Sequence, residues 1–133
     1  MEYVVYDTNI ASLAVRGELP ASLAARLPGA VPVISFVTVG ELEKWAEVRA
    51  WGARSRGALD RWISHRPVID SDQNVSRIWG RLAAAAQLRG AWRSDNDLWV
   101  AACCLSQGLP LVTRNVKDFV AVVEDHGLTL ITE

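Results

Sequence analysis

Four acidic residues, each set where an apolar run meets a helix-like stretch, constrain this chain more than any other feature of its sequence. They are Asp7 in Val4-Val5-Tyr6-Asp7-Thr8-Asn9, Glu41 in Thr38-Val39-Gly40-Glu41-Leu42, Asp97 in Asn96-Asp97-Leu98-Trp99, and Asp118 in Thr113-Arg114-Asn115-Val116-Lys117-Asp118-Phe119. Asp7 and Asn115 follow strand-like runs, whereas Glu41, Asp97 and Asp118 stand near the starts of helix-like ones. Acids at such junctions converge on one rim of a parallel sheet. A pocket of carboxylates without His or Cys partners favours a hard divalent cation, Mg²⁺ or Mn²⁺. Four such groups without a cation repel one another, and some take up protons.

The pattern between the acids supports that sheet. Strand-like runs are Tyr3 to Tyr6, Val31 to Ile34, Val68-Ile69, Leu111-Val112 and Leu128 to Ile131. Helix-like stretches cover Ile10 to Val15, Ala21 to Leu27, Thr38 to Trp51, a piece carrying Leu59, Trp62 and Ile63, a long run from Asp72, Ser94 to Ser106, and Val116 to Val123. In the run from Asp72, Val75, Ile78, Trp79, Leu82 and Ala86 fall at core spacing. Gly90 and Gly108 suit helix ends. Strands alternating with helices predict a three-layer α/β/α sandwich around a mainly parallel sheet. With no internal repeat or low-complexity linker, residues 1–133 read as one domain.

Each acid also has a plainer role. Asp7 can cap the helix that follows it. Thr38 with Glu41, Ser94 with Asp97, and Asn115 with Asp118 all have the spacing of a capping box. Capping places no demand on which elements carry it, however, and here the acids recur on elements that would meet on one side of the sheet. The positive end of a helix also stabilises an ionised carboxylate, so a cap and a metal ligand can be one residue.

Composition excludes some classes. Half of the 133 residues are apolar, enough for an ordinary core, yet no run approaches the roughly 20 needed to span a membrane. The opening Met1-Glu2-Tyr3 lacks the basic start of a secretory signal, which suggests the cytoplasm. Cys103 and Cys104, adjacent on a helix, point about 100° apart and are expected to pack as small hydrophobes. Net charge is −1. Without the four acids, 14 basic groups stand against 11 acidic ones, and all the bases but Lys44 and Lys117 are Arg, the better fork for phosphate.

The ordered stretches Asp7-Thr8-Asn9-Ile10, Ser35-x-x-Thr38-x-x-Glu41-Leu42, Asp97-x-x-Val100-Ala101-Ala102 and Leu111-Val112-Thr113-Arg114-Asn115-x-x-Asp118-Phe119 resemble those of PIN-domain ribonucleases, in particular VapC toxins of toxin–antitoxin pairs. The resemblance spans nearly the whole chain. It implies a metal-dependent endoribonuclease using Mg²⁺ or Mn²⁺, with Asp7, Glu41 and Asp97 as principal acids and Asp118 as the fourth. Asn115 occupies a position where many relatives carry Asp. Thr8, Asn9, Thr113 and Asn115 are supporting polar groups in this reading. The products would carry 5′-phosphate and 3′-hydroxyl ends, and the partners would be RNA, a cognate antitoxin and a second copy of the chain.

Arg114, beside the last motif, is a candidate RNA contact. The stretch holding Arg49, Arg54, Arg56, Arg61, His65 and Arg66 with Trp51 and Trp62 is a second, most simply through Arg54 and Arg56; a solvated helix with Trp62 turned inward is the competing reading. Trp45, Trp79, Trp92 and Trp99 fall at apolar helical positions, and His65 and His126 form no metal pair by spacing. Two other classes fit parts of the pattern. A non-catalytic domain could use the acids to dock a basic side chain of a partner, and an aspartyl phosphotransferase could use Asp7 as nucleophile, although Asn9 stands where such enzymes usually carry a second Asp.

Overall fold

The computed structural model describes residues 2–91 and 94–133; Trp92, read above as a packing residue, lies outside them. Five strands, β1 (Glu2–Tyr6), β2 (Ala30–Ser35), β3 (Val68–Ile69), β4 (Leu111–Val112) and β5 (Leu130–Ile131), form one sheet in the order β3-β2-β1-β4-β5. Every pairing is parallel: Val5 lies opposite Val33 on one side and Leu111 on the other, Ile34 opposite Val68, and Leu111 opposite Leu130.

The alternation of strand side chains sorts the core into two layers. Val5, Val33 and Leu111 face one way, where Val75, Leu82, Leu98, Phe119 and Val122 meet them. These come from α5 (Gln73–Leu88), α6 (Asp95–Gln107) and α7 (Val116–His126). Val4, Tyr6, Ile34 and Val112 face the other way, onto Ile10, Leu23, Leu42 and Leu59. Those are carried by α1 (Thr8–Val15), α2 (Ala21–Ala24), α3 (Phe36–Val48) and α4 (Ala53–Ser64). The expected α/β/α sandwich is the observed one.

Pro32 sits inside β2, a position normally closed to proline. Ile34 donates its N–H to Pro67, so the missing N–H of Pro32, two residues earlier, falls on that same edge. There β3 pairs only with Ile34 and Ser35, so the defect costs no ladder bond.

Several boundaries differ from the sequence reading. The second helix is a single turn, Ala21–Ala24, and the last runs on to His126. The third begins at Phe36 rather than Thr38, because Ser35 supplies the cap: its Oγ accepts from the Thr38 N–H at 3.2 Å. The Thr38–Glu41 capping box is therefore not formed. Ser94 and Asn115 precede α6 and α7 as expected but make no side-chain capping bond. No helix among the described residues is long and apolar enough to cross a membrane.

Candidate active site

The strand order reverses between β1 and β4, so two connections leave the sheet in opposite directions there and open a crevice beyond the strand ends. Asp7 follows β1 and Thr113 follows β4, at the two lips of that crevice. The Asp7 backbone N–H bonds to Val112 O at 3.1 Å, locking the lips together. Asp7 is buried, 8 % exposed. Its Oδ1 accepts from the Ile10 N–H at 2.8 Å, which caps α1, and its Oδ2 accepts from the Thr113 hydroxyl at 2.5 Å. Burial raises its pKa above the usual range, and the Thr113 hydrogen bond opposes that rise. The residue that caps α1 thus also borders the cleft.

Glu41 lies in α3, beyond its first turn, and is not used as a cap. The Thr8 hydroxyl donates to its Oε1 at 2.7 Å, and Asn96 Nδ2 donates to Oε2 at 3.3 Å. Thr8 in turn shares a 3.0 Å bond with the buried Thr38 hydroxyl, which also receives a 3.4 Å contact from Ser35. A chain of hydroxyls thus connects the start of α1 to α3 and aims one carboxylate.

Asp97 shows that the acids converge. Its pKa is pushed up to about 6, first by burial and then by the negative charges of Asp118, Glu41 and Asp7. Three acids, from α7, α3 and the end of β1, bear on a fourth in the first turn of α6. No three His, Cys, Asp or Glu side chains among the described residues close into a finished ligand shell. The acids lie near enough for three of them to act on Asp97, but they border different hollows: Asp7 the cleft with Asn115, Asp118 the apolar space beside Leu98, and Glu41 a shallow hollow with Asn96 and Trp99. Oxygen donors alone, with one acid whose pKa is raised to about 6 by burial and then by its acidic neighbours, suit a hard divalent cation.

The two candidates for the last position divide. Asp118, in the first turn of α7, acts on Asp97 and also borders a small apolar space beside Leu98 and Val122. Asn115 instead borders the same cleft as Asp7; its N–H donates to the Thr113 hydroxyl at 3.0 Å. Asn9, exposed at the start of α1, and Arg114 share that cleft. The Arg114 Nε donates to Glu133 at 2.5 Å, and Ser22 holds the other oxygen of that carboxylate at 2.7 Å.

Neither Arg54 nor Arg56 lines this cleft. Arg56 pairs with Glu47 at 2.9 Å and Glu43 at 3.8 Å, so it ties α4 to α3. Trp62 turns inward, its ring 6.4 Å from that of Tyr6, and the Arg66 guanidinium lies 4.8 Å from its centroid. Trp79 and Trp99 stack at 4.8 Å between α5 and α6. His65, at the end of α4, bonds to Arg61 O. The sequence reading missed Arg16 and Trp45, which line the cleft together with Arg49. Their spacing was the available signal: Asn9, Ser12 and Arg16 share one helical face, as do Trp45 and Arg49.

A wholly parallel sheet with acids near its topological switch point defines an α/β protein with an acidic site beyond the strand ends. The chain matches the PIN domain over residues 4–125 and belongs to that family. It is 29 % identical over 122 residues to Ribonuclease VapC1 of Haemophilus influenzae strain R2866, covering 89 % of this chain and 90 % of that one. It is 30 % identical over 115 residues to the tRNA(fMet)-specific endonuclease VapC of Shigella flexneri, covering 85 % and 86 %. Among solved structures, VapBC-1 from nontypeable Haemophilus influenzae superimposes with a TM-score of 0.78 at 28 % identity, over 98 % of this chain and 96 % of that chain.

Proposed function

We propose that this chain is a VapC-type endoribonuclease, the toxin of a type II toxin–antitoxin pair, that hydrolyses RNA phosphodiesters with Mg²⁺ or Mn²⁺. The single observation carrying this reading is the shared field at Asp97, in which Asp7, Glu41 and Asp118 all act on one partly buried acid. Full-length similarity to ribonucleases supports the substrate class.

Asp7, Asp97 and Asp118 would hold the metal, with Glu41 as a further ligand or a proton acceptor beside it. A divalent cation so placed supplies a Lewis acid for the scissile phosphate and lowers the pKa of water. Thr113 and the Ile10 N–H fix the orientation of Asp7 before substrate arrives. Thr8 and Asn96 fix Glu41, which takes the proton from the attacking water. That water's oxygen bonds to phosphorus as the bond to the 3′-oxygen breaks, and the departing oxygen gains a proton. The ends left are a 5′-phosphate and a 3′-hydroxyl. Asn9 and Asn115 offer neutral polar contacts at the rim, and Arg114 offers a fork to phosphate.

The solved relative is a VapBC pair, and a cognate antitoxin for this chain follows from the same reading; a basic side chain entering the acidic opening would occupy the metal's place. A homodimer with two such openings belongs to the reading too. Light scattering on the isolated chain tests it, and a strict monomer at micromolar concentration would overturn it.

The decisive experiment sequences 5′-phosphate RNA ends after brief induction of the parent and of Asp7→Asn. New ends in the parent alone support the reading. Equal cleavage by folded Asp7→Asn and Asp97→Asn proteins would remove it.

A further inference from the structure

We infer that Arg16, Arg49 and Trp45 form a nucleotide subsite beside Asp7, holding a phosphate and an unpaired base of single-stranded RNA next to the bond that is cut. The inference rests on the ribonuclease reading above and specifies how substrate lies in that site.

The cleft bordering Asp7 encloses about 510 Å³, room for a nucleotide rather than an ion. Its charge is divided. The acid lies at one side, and the guanidinium groups of Arg16, Arg49 and Arg114 line the same hollow. Carboxylates bind a cation, whereas planar guanidinium forks bind phosphate oxygens. A strand running from the acids into this hollow would pass from metal to arginine without leaving its backbone unpaired.

The arginines are available for that role. Arg16 Nε donates to Ser12 O at 3.3 Å, which tethers its base to α1. Its ion pair with Glu18 at 3.4 Å joins two half-exposed side chains; such pairs contribute little and yield to phosphate. No acid among the described residues pairs with Arg49.

Trp45 adds a flat surface. Its ring is half-buried against the α1–α4 core layer, and the Arg49 guanidinium lies 5.1 Å from the ring centroid. A layered Trp–Arg pair is a platform for a base. Only an unpaired base exposes the face needed, which selects single strands over duplex.

The test uses the isolated chain and a short fluorescein-labelled single-stranded RNA. Binding is read by anisotropy in Ca²⁺, and cleavage is followed separately in Mn²⁺. Arg16→Ala/Arg49→Ala is expected to raise Kd at least about tenfold and flatten the slope of log K against log salt by about 0.7, the one phosphate the pair holds. Trp45→Ala raises Kd about tenfold and Trp45→Phe much less. In cleavage, the loss falls mainly on KM.

Thermal melts confirm that each variant is folded, and the arginine variants carry the test if Trp45→Ala is not. Unchanged Kd and salt slope in Arg16→Ala/Arg49→Ala, or duplex RNA competing as well as the single strand, would overturn the subsite. If Asp7→Asn is inactive while the arginine pair variant binds and cuts like the parent, the subsite alone falls. If Asp7→Asn still cuts, the ribonuclease reading falls instead.

Discussion

The Thr113 hydroxyl donates to Asp7 Oδ2 at 2.5 Å, joining residues 106 positions apart in the chain. The bond exists because β4 lies beside β1, which puts the residues that follow each strand face to face. Thr113 is fully buried, so no water replaces its proton if the hydroxyl is removed.

Thr113→Val keeps the side-chain shape and removes that donor. The bond favours ionised Asp7, so its loss raises the Asp7 pKa further and leaves Oδ2 free to turn. Mn²⁺ affinity should fall about 10- to 100-fold, the usual effect of deleting a group that orients a ligand. Thr113→Ser should keep most of it. Calorimetric Mn²⁺ titration at neutral pH decides: parental affinity in the valine variant would show that Thr113 does not prepare Asp7 for metal.

Thr8 acts on Glu41 in a comparable way. Thr8→Val removes the 2.7 Å bond to Oε1 and should lower kcat about tenfold. It also strips the buried Thr38 hydroxyl of one partner, at about 1 kcal/mol in stability. If Thr8 works through Glu41, Thr8→Val added to Glu41→Gln should cost almost no further activity. Additive losses in that double-mutant cycle would separate the two residues.

The spacing of acids and apolar runs carried the architecture, because strand-to-helix alternation leaves few ways to build a sheet. Both layers of the core follow from the alternation of Val4 with Val5 and of Leu111 with Val112. Cys103 and Cys104 are buried and free, as expected, with burial pushing the Cys103 thiol up to about 12. What eluded sequence reasoning was cross-chain. The cap of α3 moved to Ser35 because Thr38 is drawn into the hydroxyl chain with Thr8. Arg56 looked free for RNA in its own segment, but Glu43 and Glu47 reach it from the preceding helix. Arg16 caps the end of α1 and Trp45 lies in α3, and only the folded chain sets both beside Asp7.

Ala50, just past α3, adopts φ of 51°, a left-handed conformation that costs an L-residue roughly 1 kcal/mol. Trp51 N–H closes the turn on Ala46 O at 3.0 Å, a helix end usually given to glycine. Ala50→Gly relieves the strain but adds unfolded-state freedom, so the net gain should be about 0.5 kcal/mol, a Tm rise of about 2 °C. A lower Tm in a melt at neutral pH would count against strain at this position.

Asp97 links the site to pH. Its folded pKa of about 6 stands above the ordinary 3.8, so between those values the native state binds more protons than the unfolded one. In metal-free protein its share of stability is complete below about 3.8 and lost as pH rises through about 6. Asp97→Asn should therefore flatten that fall and stabilise the metal-free protein at neutral pH, by about 1 kcal/mol once solvent screening is allowed for. A bound cation reverses the preference, since it must displace the proton; affinity should drop about tenfold per pH unit below 6 and level off above. Melts in chelator and Mn²⁺ titrations across roughly pH 4 to 8 test both sides. Metal affinity independent of pH through 6, with Asp97→Asn no more stable than the parent, would mean that the acids do not act on Asp97 as one group.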